Sequence, residues 1–124
     1  MLGYVTLGTN DLARAVAFYD AVLGVIDAKR VYSTDRSVAW GCSPTQTALG
    51  VTIPYNNKPA TAGNGTMPAI VVDSRAKVDA VYRKVLELGG TDEGPPGDRG
   101  GGFYAAYFRD LDGNKLNCFV MPQG

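Results

Sequence analysis

Histidine is absent from this sequence of 124 residues, which removes the commonest metal ligand and the commonest general base near neutral pH. Cysteine is scarce. Cys42 and Cys118 are too few for a disulfide scaffold and have no zinc-type spacing, so both are expected to be buried, reduced thiols. With no histidine to deprotonate either thiol, nucleophilic catalysis has little support. Net charge is absent as well, with 12 Lys and Arg balanced by 12 Asp and Glu, so no broad field draws polyanions and nucleic acid is not an expected partner. Apolar runs of a few residues fall far short of the roughly 20 that span a bilayer, so no membrane partner is expected. The chain does not open on a basic-then-apolar signal, and its expected location is cytoplasmic.

What is present is a hydrophobic content of 45%, enough for one ordinary globular core. Residues 2–8, "LGYVTLG", alternate as a half-buried strand, with Val5 and Leu7 on one face and Tyr4 and Thr6 on the other. "TNDLARAVAFYDAVLG" reads as a helix capped by Thr9 or Asn10, with Leu12, Ala15, Val16, Tyr19, Val22 and Leu23 in a stripe and Gly24 at its end. Strand-like runs follow near 26–33, 37–42 and 47–53, and then a polar connector without periodicity. The order then restarts: a strand "TMPAIVV", a helix "DSRAKVDAVYRKVLELGG" burying Val78, Val81, Tyr82, Val85 and Leu86, and strands near 103–109 and 115–121 around the hairpin turn "DLDGNK". Sliding the chain against itself by about 63 residues superposes Tyr19 on Tyr82, Leu23 on Leu86 and Tyr4 on Met67. The resulting fold class is α+β: two tandem βαβββ units in one domain spanning 1–124, the first over about 1–55, a linker over about 56–64 and the second over about 65–124. Each unit would form a curved mixed sheet with a helix on its back, and the two front faces would enclose a groove.

Several motifs invite chemistry and do not sustain it. "DLDGNK" has glycine fourth, where a calcium loop has it sixth, and Met121 stands at its twelfth position in place of glutamate. "GPPGDRGGG", 94–102, lacks the lysine and hydroxyl of a phosphate-binding loop and leads toward a strand; it reads as a mobile loop, with Arg99 riding on it as part of a lid. The carboxylates fall on helices, in turns or at strand ends, Asp110 and Asp112 among them, and are expected to be solvated or capping.

Three stretches carry a family likeness: "GYVTLGTNDLARAVAFYDAVLG", "NGTMPAIVVDSRAKVDAVYRKVLELGG" and "FYAAYFRDLDGNKLNCFV". In this order and spacing they resemble the vicinal oxygen chelate superfamily of glyoxalases, bleomycin resistance proteins and extradiol dioxygenases. That resemblance implies metal ligands on the first and last strands of each unit, all pointing into the groove. By position they fall on Tyr4, on Thr52 to within a residue or two, on Met67 and on Asn117, where members often have His, Glu, His and Glu. A phenol, a hydroxyl, a thioether and an amide bring no charge to a divalent ion, so neither a metal nor another cofactor is expected.

The resemblance also implies a homodimer that builds or completes the groove. The expected function is metal-independent binding of a small organic molecule in a partly aromatic groove lined by Tyr4, Trp40, Thr52, Met67, Arg99, Tyr104, Asn117 and Phe119, with no catalytic residue assigned. Tyr32 and Tyr55 are further aromatic contributors. A planar, uncharged or weakly anionic compound suits the rings and Arg99 better than a cationic drug. The competing readings are a metal-dependent lyase, isomerase or dioxygenase of the same superfamily, and a partner-binding domain with a collapsed groove.

Overall fold

A computed structural model describes residues 1–122 of the chain; residues 123 and 124, at the end of the expected second unit, lie outside the described residues. The elements run β1 (Tyr4–Gly8), α1 (Leu12–Gly24), β2 (Lys29–Ser33), β3 (Ser37–Gly41), β4 (Ala48–Thr52), β5 (Ala69–Val71), α2 (Arg75–Glu87), β6 (Thr91–Asp98), β7 (Tyr104–Arg109) and β8 (Lys115–Val120). They form two four-stranded mixed sheets, ordered β1-β4-β3-β2 and β5-β8-β7-β6. In each, the first strand runs parallel to the last strand of its unit and the remaining pairs are antiparallel. The fold is therefore α+β with two tandem βαβββ units. Among the described residues no helix is long and apolar enough to cross a membrane.

The helices show the repeat most plainly. Each has 13 residues, preceded by a residue in extended conformation whose side chain accepts a backbone N–H of the first turn. In α1 that cap is Asp11, not Thr9 or Asn10, because Thr9 is committed elsewhere, as described below; in α2 it is Ser74. The buried stripe of α1 includes Phe18 beside Ala15, Tyr19, Val22 and Leu23. That of α2 is narrower than expected: Val78, Val81 and Val85 are buried, whereas Leu86 is exposed and Tyr82 lies at the margin, its hydroxyl donating to Asp92 at 2.9 Å.

β6 is a strand that the sequence reading takes for loop. Pro95 and Pro96 cannot donate to a ladder, but β6 is the edge of its sheet, where a missing donor is tolerated, and its pairing with β7 is irregular on both sides of Gly94. The mobile lid thus shrinks to a tight turn over 99–103, closed by Arg99 N–H to Phe103 C=O at 2.7 Å, with Gly100, Gly101 and Gly102 all at positive φ.

A single core lies between the sheets. Leu7, Val38, Trp40 and Val51 from the first sheet and Ala106, Phe108, Leu116 and Cys118 from the second join the buried faces of both helices in one cluster. Both sheets therefore turn their backs to one another across α1 and α2. Their fronts do not face one another within the chain; they open outward on separate sides of the shared core.

The hairpin between β7 and β8 locks this arrangement. Asp110, only 5% exposed, accepts hydrogen bonds from Tyr19 Oη at 2.6 Å, from Asn114 Nδ2 at 2.9 Å and from the N–H groups of Asp112 and Asn114. Asn114 Nδ2 also donates to Gly8 C=O at 3.0 Å, and Asp112 accepts from Thr9 Oγ1 at 2.6 Å and from Arg14 Nη2 at 3.2 Å. These two carboxylates are neither solvated nor simple caps, contrary to expectation: the turn docks on the β1–α1 corner of the other unit, which shields them. Burial, with the Asp110 carboxylate beside it, pushes the Tyr19 phenol well above its ordinary pKa and keeps it a donor. Asp110→Ala should lower unfolding free energy by about 3 kcal/mol in urea titration, because it leaves four donors short of a partner; Tyr19→Phe should cost about 1 kcal/mol. A loss below about 1 kcal/mol for Asp110→Ala would show that the corner does not hold the units together.

Candidate functional site

The front of the first sheet is built from alternate residues of its four strands. Tyr4 and Thr6 of β1 lie opposite Ala48 and Gly50 of β4, and Ala39 of β3 pairs with Gly50 on one side and Tyr32 of β2 on the other. These positions are small except at the rim, so the sheet forms a hollow. A β carbon added at Gly50 would come within 3.3 Å of Val38 C=O and 3.4 Å of the Ala39 methyl, so even this gap in the floor is tightly bounded. Tyr4, 71% exposed, and Tyr32, 57% exposed, stand as walls, and a shift in register between Arg30 and Tyr32 turns Val31 toward the same hollow. The cavity measures about 640 Å³ and its lining carries no charged residue and none from the second sheet.

The front of the second sheet is closed over by its own side chains. Tyr107 of β7 lies opposite Asn117 of β8, and Ala105 opposite Phe119. Phe119 stacks on Phe103 with centroids 5.3 Å apart. Arg99 reaches back across this face, donating through Nη2 to Pro95 C=O and, at 3.3 Å, to Ala105 C=O. Asn117 is 3% exposed, and its Oδ1 is buried without a hydrogen-bond partner.

The residues expected to share one groove are thus dispersed over the molecule. Tyr4 walls the first hollow. Thr52 lies beyond it, its hydroxyl accepting from Ser37 Oγ at 2.6 Å. Arg99, Asn117 and Phe119 occupy the second front. Met67 precedes β5 and is partly exposed, beside Pro68, whose C=O accepts from Asn117 N–H at 3.1 Å.

Two of the expected residues are not groove residues. Trp40 is buried on the back of β3 with Val38, tilted against the Tyr19 ring at 5.6 Å, and its indole N–H donates to Asp20 at 2.8 Å. The Arg30 guanidinium, hydrogen-bonded to the same carboxyl, holds Asp20 below the usual carboxylate range. Tyr104 also faces a helix: it donates to Asp79 of α2 at 2.6 Å with the Arg75 guanidinium 4.7 Å above its ring. Strand parity carries the signal for both, since Trp40 shares its face with Val38, and Tyr104 shares its face with Phe108, the largest apolar side chain of β7. Tyr107, which parity puts on the front, is a residue that the sequence reading missed. Tyr55 is almost fully exposed and stands outside the lining of the hollow.

Whether a divalent metal fits can be asked of every front position on the two closing strands. β4 offers Ala48, Gly50 or Thr52 and β8 offers Lys115, Asn117 or Phe119; by the pairing, Gly50 is the counterpart of Asn117, because Thr6 and Ala69 correspond across the repeat. Neither strand offers a carboxylate, and Lys115 would repel a cation. No group of three His, Cys, Asp or Glu side chains suited to a metal occurs among the described residues. The donors present do not fit the metal that this architecture implies.

A family model for the Glyoxalase/Bleomycin resistance protein/Dioxygenase superfamily matches residues 1–118. The chain belongs to that superfamily. A crystal structure of a glyoxalase/bleomycin resistance protein from Albidiferax ferrireducens is similar, at 36% identity and a TM-score of 0.91, over 98% of this chain and 99% of that one. A hypothetical protein from S. aureus follows at 26% identity and a TM-score of 0.74, over 97% and 92%. A lactoylglutathione lyase from Agrobacterium tumefaciens, at 23% identity and 0.70 over 97% and 92%, shares the fold. No curated protein matches.

Cysteine chemistry can be assigned from position in this superfamily member. Cys118 is fully buried behind the second sheet, and burial pushes its thiol up to about 12. Cys42, expected to be buried, is exposed just past the end of β3, where the chain leaves the sheet. A disulfide-exchange thiol reagent should therefore modify Cys42 rapidly in native protein and Cys118 only on unfolding. Since the folded pKa of Cys118 lies above its ordinary value of 9.0, its contribution to stability is complete below that pH and is lost as pH rises toward about 12. Urea midpoints at pH 8 and pH 11 should show the loss, and Cys118→Ala should reduce it.

Proposed function

We propose that this superfamily member binds a small organic molecule on the front of its first sheet without a divalent metal, and that a second copy of the chain covers the bound molecule. The observation that carries the reading is the hollow itself: about 640 Å³ of space over a floor of Ala39, Ala48 and Gly50 between two exposed tyrosines. That volume lies within the roughly 300–1,000 Å³ typical of small-molecule sites, and tyrosine rings give apolar contact with a polar tip. A hollow without charge suits a planar, neutral ring better than a cationic drug. An enzyme of the metal-dependent kind would need imidazole or carboxylate donors that the closing strands β4 and β8 do not supply.

The dimer is proposed on related grounds. Leu2, Tyr4, Val31 and Tyr32 leave an apolar rim exposed around the first hollow, an unfavourable surface for a lone chain. Superfamily resemblance suggests that a second copy's second sheet faces it, so that each groove is shared.

Sedimentation equilibrium should give twice the 13.1 kDa mass of the chain. In thermal-shift assays with a panel of aromatic phenols, amides and acids, at least one compound should stabilise the protein, by about 2.7 kcal/mol at a hundredfold excess over its Kd. Thr6→Leu, which fills the hollow without touching the core, should keep the unliganded melting temperature and abolish the shift. A panel without a stabilising compound, or a shift that survives Thr6→Leu, would contradict the proposal.

A further inference from the structure

The hollow on the first sheet has a neighbour. A second, more open cavity of about 320 Å³ lies where the turn between β3 and β4 meets Val71, Val72, Asp73 and Lys77 of the second unit. The turn divides the two spaces: Ser43 and Pro44 line the hollow, Cys42 lines the crevice, and Gln46 lines both. Both ends of the turn are tied down. Cys42 Sγ donates to Ile26 C=O at 3.8 Å, Thr47 Oγ1 donates to Leu2 C=O at 2.6 Å, and Ala48 N–H donates to Gly3 C=O at 3.0 Å. Gln46 is thus the shared wall of two adjoining cavities, and among the described residues its carboxamide has no hydrogen-bond partner.

The chemistry of the crevice differs from that of the hollow. Ile26, Val71 and Val72 give it a branched aliphatic surface without an aromatic ring, and Val71, on the edge strand β5, is left 66% exposed. Its two charged residues neutralise each other, Lys77 Nζ lying 2.8 Å from the Asp73 carboxylate. The lining of the hollow carries no charge, so neither space selects a net charge on its occupant. At the partition, the Gln46 carboxamide presents a donor and an acceptor side by side, and an amide is a group that can use both.

We infer that the hollow and the crevice together take one elongated, uncharged ligand, an N-alkyl amide of an aromatic acid. Its ring lies in the hollow, its amide crosses Gln46 and its alkyl chain lies in the crevice. This deepens the proposed function, on which it rests for the ring in the hollow. The turn at 42–47 becomes the segment that sets ligand length, and the second unit of the same chain joins a site otherwise built from the first. Burial of the alkyl chain against Ile26, Val71 and Val72 supplies affinity, and the amide on Gln46 fixes orientation.

The test is a titration of full-length, 15N-labelled protein with N-methylbenzamide and with N-butylbenzamide. Both should shift the Thr6 backbone and Gln46 side-chain N–H signals saturably, and only the butyl compound should also shift the backbone signals of Val71 and Lys77. Full burial is worth roughly fourfold in affinity per methylene, so three methylenes in an open crevice should give about tenfold. Saturating N-butylbenzamide should slow the reaction of Cys42 with a disulfide-exchange reagent by about fivefold, and N-methylbenzamide should not. Val71→Glu, at an exposed position outside the core, should bring the two affinities level. Gln46→Leu should weaken both by about fivefold, the worth of one hydrogen bond. Equal affinity for the two compounds, a butyl advantage that survives Val71→Glu, or Cys42 reacting at its full rate under saturating N-butylbenzamide would each overturn the inference. No shift by either compound up to about 50 mM would overturn it too, and the hollow would then stand or fall by its own panel of aromatic compounds. Equal binding of both compounds that is lost in Thr6→Leu leaves the hollow standing without the crevice. Cys42 protection retained in Thr6→Leu shows a crevice that binds alone and contradicts both readings.

Discussion

A buried carboxylate at the hairpin between β7 and β8 governs how the two halves of this chain meet. Asp110 gathers the Tyr19 hydroxyl, the Asn114 amide and two backbone N–H groups, and Asp112 beside it ties down Thr9 and Arg14. These bonds join the last hairpin of the second unit to the first corner of the first unit, over an apolar core to which both sheets and both helices contribute. Once the corner is fixed, the sheets are set back to back. Each front then becomes an outer surface, and the lining of the first hollow takes no residue from the second sheet. The hollow on the first sheet, the open rim of Tyr4 and Tyr32 and the charged face on the second sheet all follow from that placement.

The chemistry available follows from side-chain size and charge on the two fronts. The first is made mainly of Ala, Gly, Ser and Thr between two phenols, a hollow whose lining carries no charged side chain. The second is crowded, cationic and contains an unpartnered amide. Tyr4 and Met67, which correspond across the repeat, now occupy different environments, one a wall of the hollow and the other a partly exposed residue before β5. Met67 adds apolar volume where the resemblance implies a histidine ligand.

Much of this was legible in the sequence, because hydrophobic periodicity and turn chemistry are local. The helix stripes, the Gly24 and Gly89 stops and the "DLDGNK" turn mark both units, and their common offset gives the repeat. β6 was hidden because its prolines and glycines match loop composition, and only its place at a sheet edge makes them tolerable. Trp40 and Tyr104 were misassigned because an aromatic residue fits a groove or a core equally well until parity with a neighbour such as Val38 or Phe108 is applied. The buried role of Asp110 is invisible for a different reason: its partner Tyr19 lies 91 positions away, and no local pattern encodes such a contact.

The central claim is that the fold has kept its hollow while losing the donors for a divalent ion. The most direct measurement is elemental analysis of protein purified without a histidine tag, before and after incubation with zinc, nickel, manganese and iron(II). The protein should remain essentially metal-free after each incubation and desalting. Retention of about one ion per chain, with metal–ligand distances that match a defined coordination shell by X-ray absorption, would contradict it.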